Sequence, residues 1–401
     1  MSEAQLTCLV TIHGIGEQHA PTASSDGYAD GLHRGLLRTS LQGSLLISDP
    51  LLAPNTVPEE GRPIYVVGTW PPSPSTVGQG LRRLGGWNTT DRRSVDPTNA
   101  PLSAGGSTIA HIAIVYADEQ AQGTHGETDL EAAVRTAISL HRYASVGMML
   151  EMPVLAAGAG VKAVLDFFHH PPAQQPPRTT GVGGVETVFR NLDDDVALYV
   201  CRNDLRERVR SFVHDALLRL CCRDDVAKVV INSHSNGTVI AADVLRQLPP
   251  VASDKIDWLI TCGSPLRKYV DLFYWGTDFF CADTGNDAHR YIPQVQRWTN
   301  FWDPVDVVAD PLAPPPGWHR GDPPGDPADP VRLFRSVVTG TGVTMSIDVD
   351  DRKVDNTAHV PSGGYPPHNY WDNQVEVVPE LAAIVRKVSI GAPDESMGLI
   401  P

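Results

Sequence analysis

The chain has 401 residues, a formal charge of −15 at neutral pH, 41% hydrophobic residues and 20% charged residues. That composition describes a globular protein with enough apolar material for one large domain with insertions, or for two domains. The acidic balance, with no basic run or interleaved aromatic-basic stripe to offset it, argues against nucleic acid and anionic membrane surfaces as partners.

The first five residues, Met1 to Gln5, are polar and run directly into a strand-like stretch, so a charged leader with an apolar signal core is not expected. The greasiest region, roughly 144–168, is interrupted by Glu151, Pro153, Lys162 and Asp166. No uncharged run there reaches the ~20 residues needed to span a bilayer. A cytoplasmic protein without a transmembrane segment is the expectation. Cys8, Cys201, Cys221, Cys222, Cys262 and Cys281 form no C-x-x-C pair, and they read as reduced core residues rather than as disulfides or zinc ligands.

In chain order, Leu6 to Ile12 is a buried-strand run, and His13-Gly14-Ile15-Gly16 follows it. Small residues after a first strand let backbone N–H groups face an incoming carbonyl oxygen. A dinucleotide loop fits less well, because Glu17-Gln18-His19-Ala20-Pro21 stands where a third glycine and a helix should begin. A helix-compatible stretch covers 28–39, and a second strand covers 63–70. The Pro/Gly/Ser-rich stretch from Pro71 to about Ala104 reads as loop. Residues 108–116 form a further strand, in which His111 reads as a core or edge histidine. Segment 127–170 has helical spacing and then a Gly/Ala/Met/Leu-rich part. It reads as packed helices that also serve as an apolar cap over a cleft.

The acidic triplet Asp193-Asp194-Asp195 reads as the capped start of a helix reaching about Cys222. Next come a strand at 226–231, a helix at 238–248 stopped by Pro249-Pro250, and a strand at 256–262 ending in Gly263-Ser264-Pro265. Residues 295–302 form another strand, leading into Asp303-Pro304-Val305-Asp306. One or two more strands are expected at 337–349, then a Gly/Pro-rich loop carrying His368-Asn369-Tyr370-Trp371, and a last helix at about 379–388. Strands alternating with helices predict an α/β fold with a sheet that is parallel at its centre.

The candidate chemistry centres on Ser233-His234-Ser235-Asn236-Gly237, between a β-branched run and helix-favouring residues. This is the Gly-x-Ser-x-Gly elbow with serine in the first glycine position. Such a turn lifts the hydroxyl of its central serine clear of the sheet. Gly237 meets the turn's steric demand fully and Ser233 approximately. Ser235, an acid and His368 follow in the order Ser…Asp…His, each beyond the carboxyl end of an expected strand, where ligands of such sheets bind. Asp303, Asp306 and Asp310 are the candidate acids, and His368 is preferred to His359 as the base. His13, Gly14 and His234 would support the site, and no two histidines stand at metal-ligand spacing.

These motifs together resemble the α/β-hydrolase superfamily, most of all its lipase/esterase-type members. The resemblance spans 1–70 and 191–401 as the hydrolase core. The insertion 71–190, with its strand at 108–116 and its helical cap at 127–170, matches nothing beyond the general idea of a lid. It implies a serine hydrolase that cleaves a small-molecule carboxylic ester with an apolar acyl or alkyl group, without cofactor or metal. Its triad would be Ser235-His368-Asp306, and the backbone N–H groups of Ile15 and Asn236 would form the oxyanion hole. An acyltransferase or thioesterase with the same triad is the alternative, and a non-catalytic ligand-binding protein is a third. Weak contact of the cap with a lipid surface is compatible with this reading. Oligomeric state is not legible.

Overall fold

A computed structural model describes residues 6–14, 28–39, 44–49, 64–70, 108–116, 199, 203–267, 269, 291–293, 295–306, 308–313, 335–340, 343–360 and 366–390. The strands are Leu6–Ile12 (β1), Ser44–Asp49 (β2), Ile64–Trp70 (β3), Ile109–Ile114 (β4), Val226–His234 (β5) and Ile256–Cys262 (β6). They continue with Tyr291–Pro293 (β7), Arg297–Trp302 (β8), Arg335–Gly340 (β9), Val343–Asp348 (β10) and Asp350–Lys353 (β11). The main helices are Asp30–Thr39 (α1), Asn203–Cys221 (α2), Asn236–Leu245 (α3) and Val377–Ile390 (α4).

Eight strands form one sheet in the order β11-β8-β6-β5-β1-β4-β3-β2. Every neighbouring pair from β11 through β4 is parallel, and β3 runs antiparallel to both β4 and β2. This is an α/β protein with a mostly parallel sheet. The two strands expected near 337–349 are β9 and β10, and they pair with β7 in a separate three-stranded sheet rather than extending the main one. Segment 127–170, expected as a cap, lies outside the described residues, as does Ile15.

Alternation along the central strands distributes side chains to two cores. Cys8, Val10 and Ile12 of β1 and Val229 and Ile231 of β5 face one layer, with Val209, Val213, Leu217 and Leu220 of α2 and Val239 and Ala242 of α3. Leu9 and Val230 point the other way, onto Leu32 and Leu36 of α1 and Leu381, Ile384, Val385 and Val388 of α4. The helical positions recur every three or four residues, which is why one stripe of each helix can cover the sheet. Buried on both faces, β1 has no exposed residue and reads as a continuous apolar run.

After β1 the next strands lie on the β4-β3-β2 side of the sheet and after β5 the next is β6 on the other side, so the strand order reverses between the neighbours β1 and β5, where sheets of this kind bind ligands. His13 and Gly14 follow β1 directly, and Ser235 follows β5. Among the described residues, no helix is long and apolar enough to cross a membrane.

Candidate active site

At the end of β5 the backbone turns sharply. Ser235 has φ 53° and ψ −131°, the one non-glycine residue with positive φ among those described. A residue in this region is strained by about 1–3 kcal/mol and persists only where its surroundings enforce it. Here they do. The Ser235 N–H donates to the Cys262 carbonyl of β6 at 2.9 Å, while its own carbonyl accepts the Thr238 N–H at 2.9 Å and the Thr238 hydroxyl at 2.7 Å. Helix α3 starts at the next residue, two residues earlier than the sequence suggests, so the positive end of its dipole lies at the serine.

The elbow's small residues have measurable reasons. A Cβ on Gly237 would lie 2.1 Å from the His13 carbonyl oxygen, against backbone that cannot yield. A Cβ on Gly14 would lie 2.5 Å from Ser235 Cβ, so the loop after β1 touches the serine itself. Ser233 stands where glycine is usual, and its buried hydroxyl donates to the Ile260 carbonyl at 3.0 Å, so the side chain leaves no polar atom unpaired.

His368 approaches from a short 3₁₀ turn, Pro366–His368. Its Nδ1–H donates to Asp306 Oδ2 at 2.8 Å, and both side chains are buried. That bond sets the tautomer and leaves Nε2 as the basic nitrogen. Asp306 is aligned further by the Val308 N–H on Oδ1 at 3.0 Å and by the Tyr370 hydroxyl on Oδ2 at 2.9 Å. Ser235 Oγ and His368 Nε2 are both buried, and neither has a hydrogen-bond partner in the protein, each other included. A loose serine–histidine contact is common in ligand-free sites, where these bonds tighten once substrate is in place. The loops converge all the same: the His234 ring lies 4.6 Å from the His368 ring, and the His234 Nε2–H donates to the His368 carbonyl at 2.9 Å.

Asp303 does not face His368. Its carboxylate accepts the N–H groups of Val305 and Asn356, each at 2.8 Å, so it closes a turn and anchors the next segment. Burial pushes its carboxyl up, against the pull of those two amides. Asn356, held this way, donates from Nδ2 to the Pro367 carbonyl at 2.7 Å and so steadies the loop carrying His368. His359 is half-buried and lies 3.9 Å from Glu376, while the Asp306 carboxylate is taken by His368 and Tyr370. His111 is in the core, as its sequence context suggests, bonded to Thr11 Oγ1 at 2.7 Å.

Around the loop after β1, His13 is fully buried and stacks on Tyr116 at 3.8 Å. Its Nδ1–H donates to the Gly14 carbonyl at 2.7 Å, and its Nε2 accepts the Tyr116 N–H at 3.1 Å. The Tyr116 hydroxyl reaches the carbonyls of both His13 and Gly14 at 2.9 Å. Burial pushes the imidazoles of His13 and His234 down to about 3, so both are neutral at pH 7. Cys262, at the end of the neighbouring strand, is no rival nucleophile, since burial pushes its thiol up and keeps it protonated. Among the described residues, no group of three or more His, Cys, Asp or Glu could hold a metal ion.

The structure therefore brings together Ser235, His368, Asp306, Asn236, His13, Gly14, His234 and Gly237 at one sheet edge. It adds Tyr370, which stands two residues from His368 in sequence, and Asn356 and Tyr116, which no motif singles out. Comparison with family models, with curated proteins and with solved structures finds no match to this chain.

Proposed function

We propose that the protein is a serine hydrolase of the α/β-hydrolase type that cleaves a carboxylic ester through an acyl-enzyme. The observation that carries this reading is the strained Ser235 at the end of the central strand, on the same edge as a buried His368–Asp306 pair whose outer nitrogen is unpartnered. Asp303 is already committed to backbone amides, which supports Asp306 as the acid.

In this reading Ser235 Oγ attacks the acyl carbon while His368 Nε2 takes its proton, and Asp306 stabilises the imidazolium that results. The N–H of Asn236, in the first turn of α3, donates to the oxyanion. The N–H of Ile15 is the expected second donor. Each such donor is worth about 3–4 kcal/mol of barrier in comparable sites. His368 then returns the proton to the departing alcohol, and water repeats the sequence on the acyl-enzyme. Neutral His13 and His234 suit this chemistry, because neither adds a fixed positive charge that would compete with the imidazolium.

The test is hydrolysis of p-nitrophenyl esters of increasing acyl length by the wild type and by Ser235→Ala. Wild-type turnover with loss in the variant is expected, and the chain-length optimum reports the depth of the acyl pocket. Undiminished turnover by Ser235→Ala would sink the mechanism. Transfer to an added alcohol or thiol with no free acid formed would replace hydrolysis by acyl transfer.

A further inference from the structure

One oxygen of the proposed triad acid is shared. Asp306 Oδ2 receives the His368 Nδ1–H at 2.8 Å and the Tyr370 O–H at 2.9 Å. The Tyr370 oxygen in turn accepts the Asp303 N–H at 2.8 Å. A phenol has one proton to give, and with that amide on its acceptor side the proton is committed to Asp306. Burial first, and then the Asp306 carboxylate, push the Tyr370 hydroxyl well up, so it remains a donor throughout the working pH range. The ring has nowhere to retreat: Tyr370 is fully buried, and a Cβ on Gly263 would lie 2.7 Å from its Cε2.

We propose that Tyr370 is a positioning residue for the base, fixing the Asp306 carboxylate and dividing the charge of Oδ2 between its own hydroxyl and the His368 imidazole. The kinetic consequence rests on the serine-hydrolase reading above, whereas the electrostatic one does not. A carboxylate oxygen that accepts a second strong donor offers less negative charge to the first. Tyr370 therefore moderates how strongly Asp306 stabilises a charged His368. A merely space-filling tyrosine would need no hydroxyl and no amide to orient it.

Among the described residues, the other titratable groups near this cluster are few. Asp303 and Asp306 lie on the loop after β8, and Asp355 faces Asp303 from the turn before Asn356. His234, at the end of β5, has its ring 6.0 Å from that of Tyr370 and is held neutral by burial. Removing the phenol hydroxyl takes one donor from Asp306 and the acceptor from the Asp303 N–H, and it neither adds nor removes a charged group.

The test is the titration of His368 in the full chain, followed by NMR with ¹⁵N-labelled histidine. It is run on the wild type, on Tyr370→Phe, and on protein with 3-fluorotyrosine in place of Tyr370. With the hydroxyl gone, Oδ2 serves His368 alone, and the His368 midpoint is expected to rise by about half a pH unit or more. The fluorinated phenol is a stronger donor of nearly the same shape, so the midpoint is expected to fall, and this variant stands in if Tyr370→Phe does not fold. Where the wild type hydrolyses esters, the acid limb of kcat/KM moves in the same two directions, and the plateau for Tyr370→Phe falls about tenfold. Unmoved midpoints in the folded variants overturn the inference. Moved midpoints in a protein that hydrolyses nothing uphold Tyr370 and remove the hydrolase reading instead.

Discussion

Gly263 terminates β6 at φ +62°, directly beneath the proposed base. Replacing it by alanine perturbs the site in two ways. A side chain in this left-handed region costs about 1–2 kcal/mol. The new methyl would also lie 2.7 Å from Tyr370 Cε2, 2.9 Å from His368 Cε1 and 3.0 Å from His368 Nδ1. Ordinary carbon contacts need about 3.5–4.0 Å, so the two rings must give way by roughly 0.5–1 Å. Overpacking of this kind adds about 1–3 kcal/mol. The expected loss of stability is therefore about 2–5 kcal/mol. The shift also pulls His368 off the 2.8 Å bond to Asp306. A misplacement of about 1 Å in a reacting group costs about 10²-fold in rate. Denaturant unfolding and kcat/KM on a short p-nitrophenyl ester measure the two effects separately. Gly31→Ala is the control, since nothing lies within 4 Å of its added methyl. In helix α1 that change is expected to stabilise by up to about 1 kcal/mol and to leave turnover unchanged. A folded Gly263→Ala protein with wild-type kcat/KM would refute the placement of His368 as the working base.

Three further outcomes follow from the same geometry. Alanine at position 235 keeps a β-carbon in the strained turn and glycine removes it, so Ser235→Gly should exceed Ser235→Ala in stability by about 1 kcal/mol after the unfolded-chain entropy of glycine is counted. Equal stabilities in denaturant unfolding would mean the turn stores no strain. Asp306→Asn should lower kcat/KM by about 10³–10⁴-fold, because the wrong histidine tautomer is then favoured. Asp303→Asn should cost about 1–3 kcal/mol of stability, through a backbone amide left without its acceptor, while keeping most of the activity. The opposite ranking of the two variants would make Asp303 the acid. His13 contributes to the pH dependence, alongside His111 and His234, whose imidazoles burial also pushes down. Folding pushes the His13 imidazole down to about 3, so below pH ~6.5 the unfolded chain takes up a proton that the folded protein refuses, and stability falls with pH until about 3. Between pH 7 and pH 5 this one residue should cost about 2 kcal/mol. His13→Asn should flatten the unfolding free energy over that interval by the same amount, and parallel pH profiles for the two proteins would contradict it.

Much of the scaffold is legible in the sequence because its strands are buried on both faces and read as apolar runs, as at Leu6–Ile12 and Ile256–Cys262. The strands without such a run are not legible. β11 is Asp350-Asp351-Arg352-Lys353, with no intrinsic strand preference, and it joins the sheet only by pairing with β8 at the edge. β7 is three residues long and takes its identity from β9. The start of α3 is misjudged because Asn236 and Gly237 are poor helix formers, yet the turn at Ser235 requires a helix directly after it. In the site, Ser235 and His368 stand out by motif and order. Asp303 and Asp306 differ by three positions; the resemblance favours Asp306, and in the folded loop Asp303 closes a turn while Asp306 meets His368. Tyr370 stays hidden in sequence because its role depends on contacts with residues more than sixty positions away.

The most direct test of the central claim is covalent. A fluorophosphonate reacts with a serine only when a base and an oxyanion site activate it. Intact-mass and peptide analysis after labelling should place one adduct on Ser235 in the wild type and none in Ser235→Ala, with labelling of His368→Ala slowed by orders of magnitude. A folded wild-type protein that takes up no label at Ser235, or that labels as fast without His368, would contradict the account.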